Sequence, residues 1–171
     1  MGKRLLGILG VAFLTLFISG CAVESLQLGT PRDEVLKKFG TPTATVNLTT
    51  VTRLQYSQQP EGQRAVMVDV DAADRVVSVR QVLNSRDFSR VAVGKWTRQD
   101  IEREFGRPAR IDHVANWRGD ILTYRWLDGG QNMLFSVYLD VNNVAQSFGQ
   151  REEKRDEKLR LIRFMGCISP C

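Results

Sequence analysis

Histidine and cysteine are scarce in this sequence. There is one histidine, His113, and the three cysteines lie near the ends of the chain, at positions 21, 167 and 171. That leaves no Cys/His cluster with the spacing of a metal site, so neither a metal nor a cofactor is expected. The body of the chain also lacks a cysteine nucleophile, a glycine-rich phosphate loop and a carboxylate pair set in a motif. A binding protein is therefore expected rather than an enzyme. His113 lies between Asp112 and Val114 on a predicted strand and reads as a surface or packed residue. Charge of one sign is not in strong excess either: 24 Lys and Arg stand against 19 Asp and Glu. The only long apolar run is Leu5 to Ile18, short of the roughly 20 residues that a membrane-spanning helix needs. With 43% hydrophobic and 25% charged residues, the rest is the composition of an ordinary folded protein.

That apolar run has a function of its own. Lys3 and Arg4 precede it and small residues close it, which is the pattern of a secretory signal over residues 1–20. Its end, Leu16-Phe17-Ile18-Ser19-Gly20-Cys21, resembles the bacterial lipobox. The resemblance implies lipidation of the Cys21 thiol, cleavage before it and acylation of the new amine, with enough acyl chains for stable anchoring. Ala22 in place of Asp implies sorting to the outer membrane, facing the periplasm. Cleavage would leave 22 basic against 19 acidic residues, a net +3, so nucleic acid is not an expected partner. In an oxidising periplasm Cys167 and Cys171 would close a small disulfide loop; two thiols, reduced or linked to a partner, are the alternative.

Compared with itself, the mature chain repeats. "LGTPRDEVLKKFGTP" at 28–42 is answered by "VGKWTRQDIEREFGRP" at 93–108, and "VMVDVDAADRVV" at 66–77 by "FSVYLDVNNVA" at 135–145. The domains expected are 21–84 and 85–150, followed by a charged tail, 151–171. In each copy a Thr (Thr30, Thr97) stands at the N-cap with Asp three residues on, a capping-box arrangement. Val35/Phe39 and Ile101/Phe105 form the buried stripe, and Gly40 and Gly106 end the helix before Pro42 and Pro108. A shorter helical turn is expected before each helix, around 24–28 and 85–91. Strands follow at 43–48, 51–56, 64–70 and 75–82, then at 109–114, 121–126, 133–139 and 144–148. Val66, Val68 and Val70, like Phe135, Val137 and Leu139, should face the helices; Met67 and Asp69, or Ser136 and Tyr138, should face away. Asp69, Asp71, Asp128 and Asp140 read as turn-flanking or solvent-facing. The fold class is α+β: two tandem units, each a helical hairpin packed on a three- to four-stranded antiparallel sheet. Units this small should share a core or join their sheets edge to edge.

These motifs resemble the opening of the SmpA/OmlA small lipoprotein family: a glycine, a capping Thr, an acidic helix, then aliphatic-Gly-x-Pro and a strand with Tyr or Trp. Tyr56, Tyr124 and Trp126 match that strand. The family includes the BamE-type accessory lipoprotein of the outer-membrane β-barrel assembly machinery. The doubled form is also similar to the β-lactamase inhibitor protein architecture. The resemblance implies a non-catalytic binding or accessory role in envelope or outer-membrane protein assembly, with membrane lipid and an envelope protein as partners. A membrane-anchored inhibitor or sensor of an envelope enzyme, using a concave sheet, is the alternative.

Aromatics with arginine are what interface hot spots contain. Trp117, Arg118, Arg125 and Tyr138 are the candidate partner-binding residues, while Tyr124 and Trp126 either complete the core or join that surface. The tail offers mixed charge from Arg151 to Lys158, then Leu161, Ile162 and Met165. It reads as a helix docked on its own domain, a partner-binding helix or a contact to anionic lipid.

Overall fold

The computed structural model describes residues 26–154. The signal segment, Cys21, most of the tail, and Cys167 and Cys171 lie outside the described residues, and with them the lipidation and disulfide expectations.

The chain is α+β, with two four-stranded antiparallel sheets. Helix α1 (Arg32–Phe39) precedes β1 (Ala44–Asn47), β2 (Thr52–Ser57), β3 (Ala65–Val70) and β4 (Val76–Gln81). The one-turn helix α2 (Ser85–Phe88) and α3 (Arg98–Phe105) precede β5 (Arg110–Asp112), β6 (Ile121–Asp128), β7 (Gln131–Leu139) and β8 (Ala145–Glu152). Both sheets run in sequence order, β1-β2-β3-β4 and β5-β6-β7-β8, and no strand of one pairs with a strand of the other. Of the two arrangements expected, a shared core or an edge-to-edge join, the second is therefore absent.

Both long helices end at glycine. Gly40 (φ 76°) and Gly106 (φ 80°) occupy backbone conformations that side chains resist, and each returns its N–H to the helix, to Leu36 and Glu102. The starts differ. Thr97 caps α3 with the full reciprocal box, its hydroxyl accepting from Asp100 N–H while the Asp100 carboxylate accepts from Thr97 N–H. The matching expectation for Thr30 fails. The N-cap is Pro31, held extended by a bridge to Arg75, and the Thr30 hydroxyl turns back to the carbonyl of Gln27 at 2.7 Å. Residues 28 and 29 form a turn, so no helical turn precedes α1 among the described residues.

The hairpins β3–β4 and β7–β8 close alike. Asp71 Oδ1 accepts from the N–H groups of Ala73 and Arg75, and Asp140 Oδ1 from those of Asn142 and Val144. Asp74 (φ 55°) and Asn143 (φ 61°) sit in the left-handed region that short polar residues tolerate. Each hairpin then bonds to the segment before a helix: Gly29 N–H to Val76 O, and Gly94 N–H to Ala145 O, both 2.7 Å.

Packing is layered. Val35 of α1 meets Leu54, Val66, Val68, Val70 and Val76 on one face of the first sheet. On the second sheet, Leu122, Tyr124, Trp126, Phe135, Val137 and Leu139 pack under Phe88, Ile101 and Phe105. Ala65 and Met67, from the other face of the first sheet, belong to that second cluster. The second set of helices is thus sandwiched between the sheets, and all six residues of β3 are buried. This corrects the reading of Asp69 as solvent-facing. It does point away from α1, but into the contact with α3, where Arg53 grips it through Nε (2.7 Å) and Nη2 (3.0 Å).

Candidate protein-binding surfaces

Polar contacts of Arg53, Gln55 and Gln59 are among those that join the halves. Arg53 Nη1 also reaches Glu104 Oε1 and the carbonyl of Arg103, both at 3.3 Å. Gln55 Nε2 donates to the carbonyls of Glu102 and Arg103, both at 3.1 Å. Side chains of the first sheet therefore satisfy the Arg103 carbonyl at the end of α3, Gln55 shares the Glu102 carbonyl with Gly106 N–H, and a guanidinium there favours the helix dipole. The hydrogen bond to Asp69 raises the Arg53 pKa further. At the far end of the second sheet, β6 runs on beyond its β5 partner. There Gln59 fills the free edge, accepting from Arg125 N–H (3.2 Å) and donating to Arg125 O (2.7 Å).

Trp117 and Tyr138 come together on the face of the second sheet turned away from the helices. Trp117, in the loop between β5 and β6, donates its indole N–H to Leu139 O at 2.7 Å and meets the Tyr138 ring edge-to-face at 5.5 Å. Gly119 (φ 136°) makes this approach possible, because a Cβ there would lie 2.1 Å from Leu139 O. Asp120 ties the loop to α3 through Arg98 (2.9 Å), and its Oδ1 lies 3.2 Å from Nδ1 of the exposed His113. Arg118, next to Trp117, is exposed and makes no hydrogen bond or ion pair among the described residues.

Arg125 does not join this cluster. Ile121, not Arg125, stands opposite Tyr138, and four residues of strand separate the two by roughly 13 Å. Its guanidinium is spent inside the molecule, on Glu153 (2.8 Å) and on the carbonyls of Pro60 (3.2 Å) and Glu61 (3.0 Å). Tyr124 and Trp126 belong to the core. Tyr124 is fully buried and donates to Gly106 O at 2.9 Å; burial pushes its hydroxyl well above the usual tyrosine pKa.

Sequence reasoning missed a cleft of about 560 Å³ between the halves, walled by β1 and β2 on one side and by α3 and the segment leading to β5 on the other. Arg98, Arg103 and Arg107 line it. They lie 52 to 63 residues from Ala44 and Val46 of β1, and only the fold brings them together. Among the described residues there is no group of three or more potential metal ligands. No described helix is long and apolar enough to cross a membrane.

No family model and no curated protein matches this chain. Among solved structures it is similar to a DUF4309 family protein (YjgB) from Bacillus subtilis subsp. subtilis str. 168, with 14% identity over 72% of this chain and 79% of that one, at a TM-score of 0.31. It is also similar to an extracellular protein containing a SCP domain from Bacillus anthracis str. Ames, with 14% identity over 95% of this chain and a TM-score of 0.30. The match spans about half (53%) of the latter protein. At these scores neither likeness carries an argument about function.

Proposed function

We propose that this protein is a lipid-anchored, periplasm-facing outer-membrane protein of the SmpA/OmlA kind that binds other proteins and catalyses nothing. Its work is an accessory role in envelope or outer-membrane protein assembly. The observation that carries the binding reading is the Trp117–Tyr138 pair beside Arg118. Two aromatic rings are held by a hydrogen bond and an edge-to-face contact, so little side-chain freedom is lost on docking, and the adjacent cation is unspent. The anchor rests on the lipobox at Cys21.

In this reading the chain is a tandem duplication. Supporting it are the matched bonds of the two halves: Tyr56 and Tyr124 to the glycine carbonyls at the helix ends, Asp71 and Asp140 in the turns, and the bridges Pro31–Arg75 and Thr97–Val144. The helical hairpin of each unit is α3 with the single turn α2 in the second copy. In the first copy the stretch expected to form the short arm, 24–28, falls partly outside the described residues, and residues 26–28 are not helical.

Photo-crosslinking in cells from position 117 or 138 tests the function. Crosslinks to subunits of an outer-membrane assembly complex are expected, while a single hydrolase whose activity falls on mixing would establish the inhibitor instead. Metabolic labelling with palmitate, present in the wild type and lost in Cys21→Ser, tests the anchor.

A further inference from the structure

Two four-stranded sheets that do not join leave four edges. Natural proteins protect such edges with charge, proline or irregularity, because unpaired N–H and C=O groups recruit other strands. Three of the edges follow this rule: β4 carries Arg80, β5 is three residues long with Arg110 and Asp112, and β8 carries Arg151 and Glu152. Moreover, the pairings β3–β4 and β7–β8 are both interrupted by a register shift. The fourth edge does not. Strand β1 reads Ala-Thr-Val-Asn, with no charge and no proline, and pairs with β2 in unbroken register. Leu48 N–H bonds to Val51 O, so by the alternation of an antiparallel ladder the backbone groups of Thr45 and Asn47 point outward.

The cleft lies beside this bare edge. Ala44 and Val46 line it from β1 and Ile111 adds a third apolar side chain. Opposite stand three arginines and a single carboxylate, Glu102. Arg98 is committed to Glu102 and Asp120, and Arg103 to Asp100 at 2.7 Å. Arg107 is exposed and has no hydrogen bond or ion pair among the described residues.

We propose that this cleft is a docking site for an extended acidic segment of a partner protein, which adds as a fifth strand to the outer edge of β1 and sets carboxylates against Arg107 and Arg103. A strand added there turns every second side chain toward the face that carries Ala44 and Val46, at a spacing of about 7 Å. Acidic residues at alternate positions are therefore recognised, and the residues between them face away from the cleft. Main-chain pairing supplies the affinity and the arginine wall supplies the selection. The inference goes beyond the binding surface at Trp117 and rests only on the reading that the protein binds rather than catalyses.

The test uses the full chain in detergent and fluorescein-labelled octapeptides alternating Val with Glu, Gln or Lys, read by fluorescence anisotropy. The Glu peptide is expected to bind at least about tenfold more tightly than the Gln peptide, a difference of about 1.4 kcal/mol. Arg107→Glu removes that preference. Thr45→Pro, placed where an outward N–H is lost without breaking the β1–β2 ladder, weakens both the Glu and the Gln peptide. In the unsubstituted protein, bound Glu peptide slows amide exchange at Thr45 and Asn47, a readout independent of either variant. Equal binding of the Glu and Gln peptides, or of none, overturns the proposal. So does a Glu preference that persists in Arg107→Glu, or displacement by inorganic phosphate or phosphatidylglycerol vesicles with no change in exchange at Thr45 and Asn47. A dimer whose formation needs an intact β1 edge overturns it in favour of a second copy of the chain. Peptide failure with crosslinks from position 117 intact overturns this inference alone; the reverse result overturns only the assembly reading.

Discussion

Tyr124 donates its hydroxyl to the carbonyl of Gly106 at 2.9 Å inside the core, tying the sheet to the residue that ends α3. Tyr56 makes the counterpart bond to Gly40 at 3.3 Å where water can replace it. Tyr124→Phe is expected to cost about 1–3 kcal/mol, because it leaves a buried carbonyl without its donor, and Tyr56→Phe less than about 1 kcal/mol. Urea denaturation of the two variants measures the difference. The pH dependence has a definite sign. The native Tyr124 pKa lies well above the ordinary value of 10.0, so the unfolded chain loses this proton first. Its contribution is intact below pH 10 and declines above it, and Tyr124→Phe should flatten that alkaline decline.

The Arg53–Asp69 pair is buried where the halves meet. Removing Asp69 leaves the buried Arg53 guanidinium with Glu104 as its one remaining counter-charge, so Asp69→Ala should lower stability by about 3 kcal/mol, the low end for breaking a buried pair. The double variant Arg53→Met, Asp69→Leu should lose less than Asp69→Ala alone, because it leaves no half-paired guanidinium in the contact and Glu104 keeps Arg103 and Arg90. A cost below about 1 kcal/mol for Asp69→Ala would show that water reaches the pair.

The two helix starts separate a cap from its look-alike. Thr97→Ala should cost about 1 kcal/mol, while Thr30→Ala should stay within about 0.5 kcal/mol. Backbone hydrogen bonding from Thr97 holds the Asp100 carboxyl below the usual carboxylate range. Its contribution is therefore present above the unfolded value of about 3.9 and lost as pH falls through the lower native value. Asp100→Asn should lower the melting temperature at neutral pH and reduce the further loss on acidification below about pH 4.

Gly119→Ala places a methyl 2.1 Å from Leu139 O. Trp117 should then lose its bond to that carbonyl and its place against Tyr138. A cost of about 1–3 kcal/mol is expected, together with a red-shifted tryptophan emission that is absent when Trp117 is replaced by Phe. Unchanged emission would mean that the loop holds Trp117 by other contacts.

Alternation and turn chemistry made the strands legible: each of the eight overlaps its predicted stretch, and both helix-ending glycines stand where the motif puts them. What lies over each face was not legible. Alternation reports that Val68 and Asp69 point to opposite sides, but a polar residue buried against another element has the same pattern as one in water. Arg53, Gln55 and Asp69 belong to that class. Arg125 was grouped with Trp117 because they are close in sequence, yet a strand carries neighbours four residues apart to opposite ends of a sheet. The Thr30 cap failed for a local reason: the extended Pro31 takes the capping position, and the Thr30 hydroxyl is already bonded to Gln27.

The two hydrophobic clusters are not equivalent. The first draws only on residues between 26 and 79, whereas the second includes Ala65 and Met67 of the first sheet. Synthesis proceeds from the N-terminus, so the α1 layer can close before the rest of the chain has emerged. Until then Met67 and the Arg53–Asp69 pair remain uncovered on its far side. The half that arrives later needs that surface to complete its own interior. The earlier half thus acts as a template for the later one, and interruption of synthesis would leave a partly finished protein with its sticky side outward.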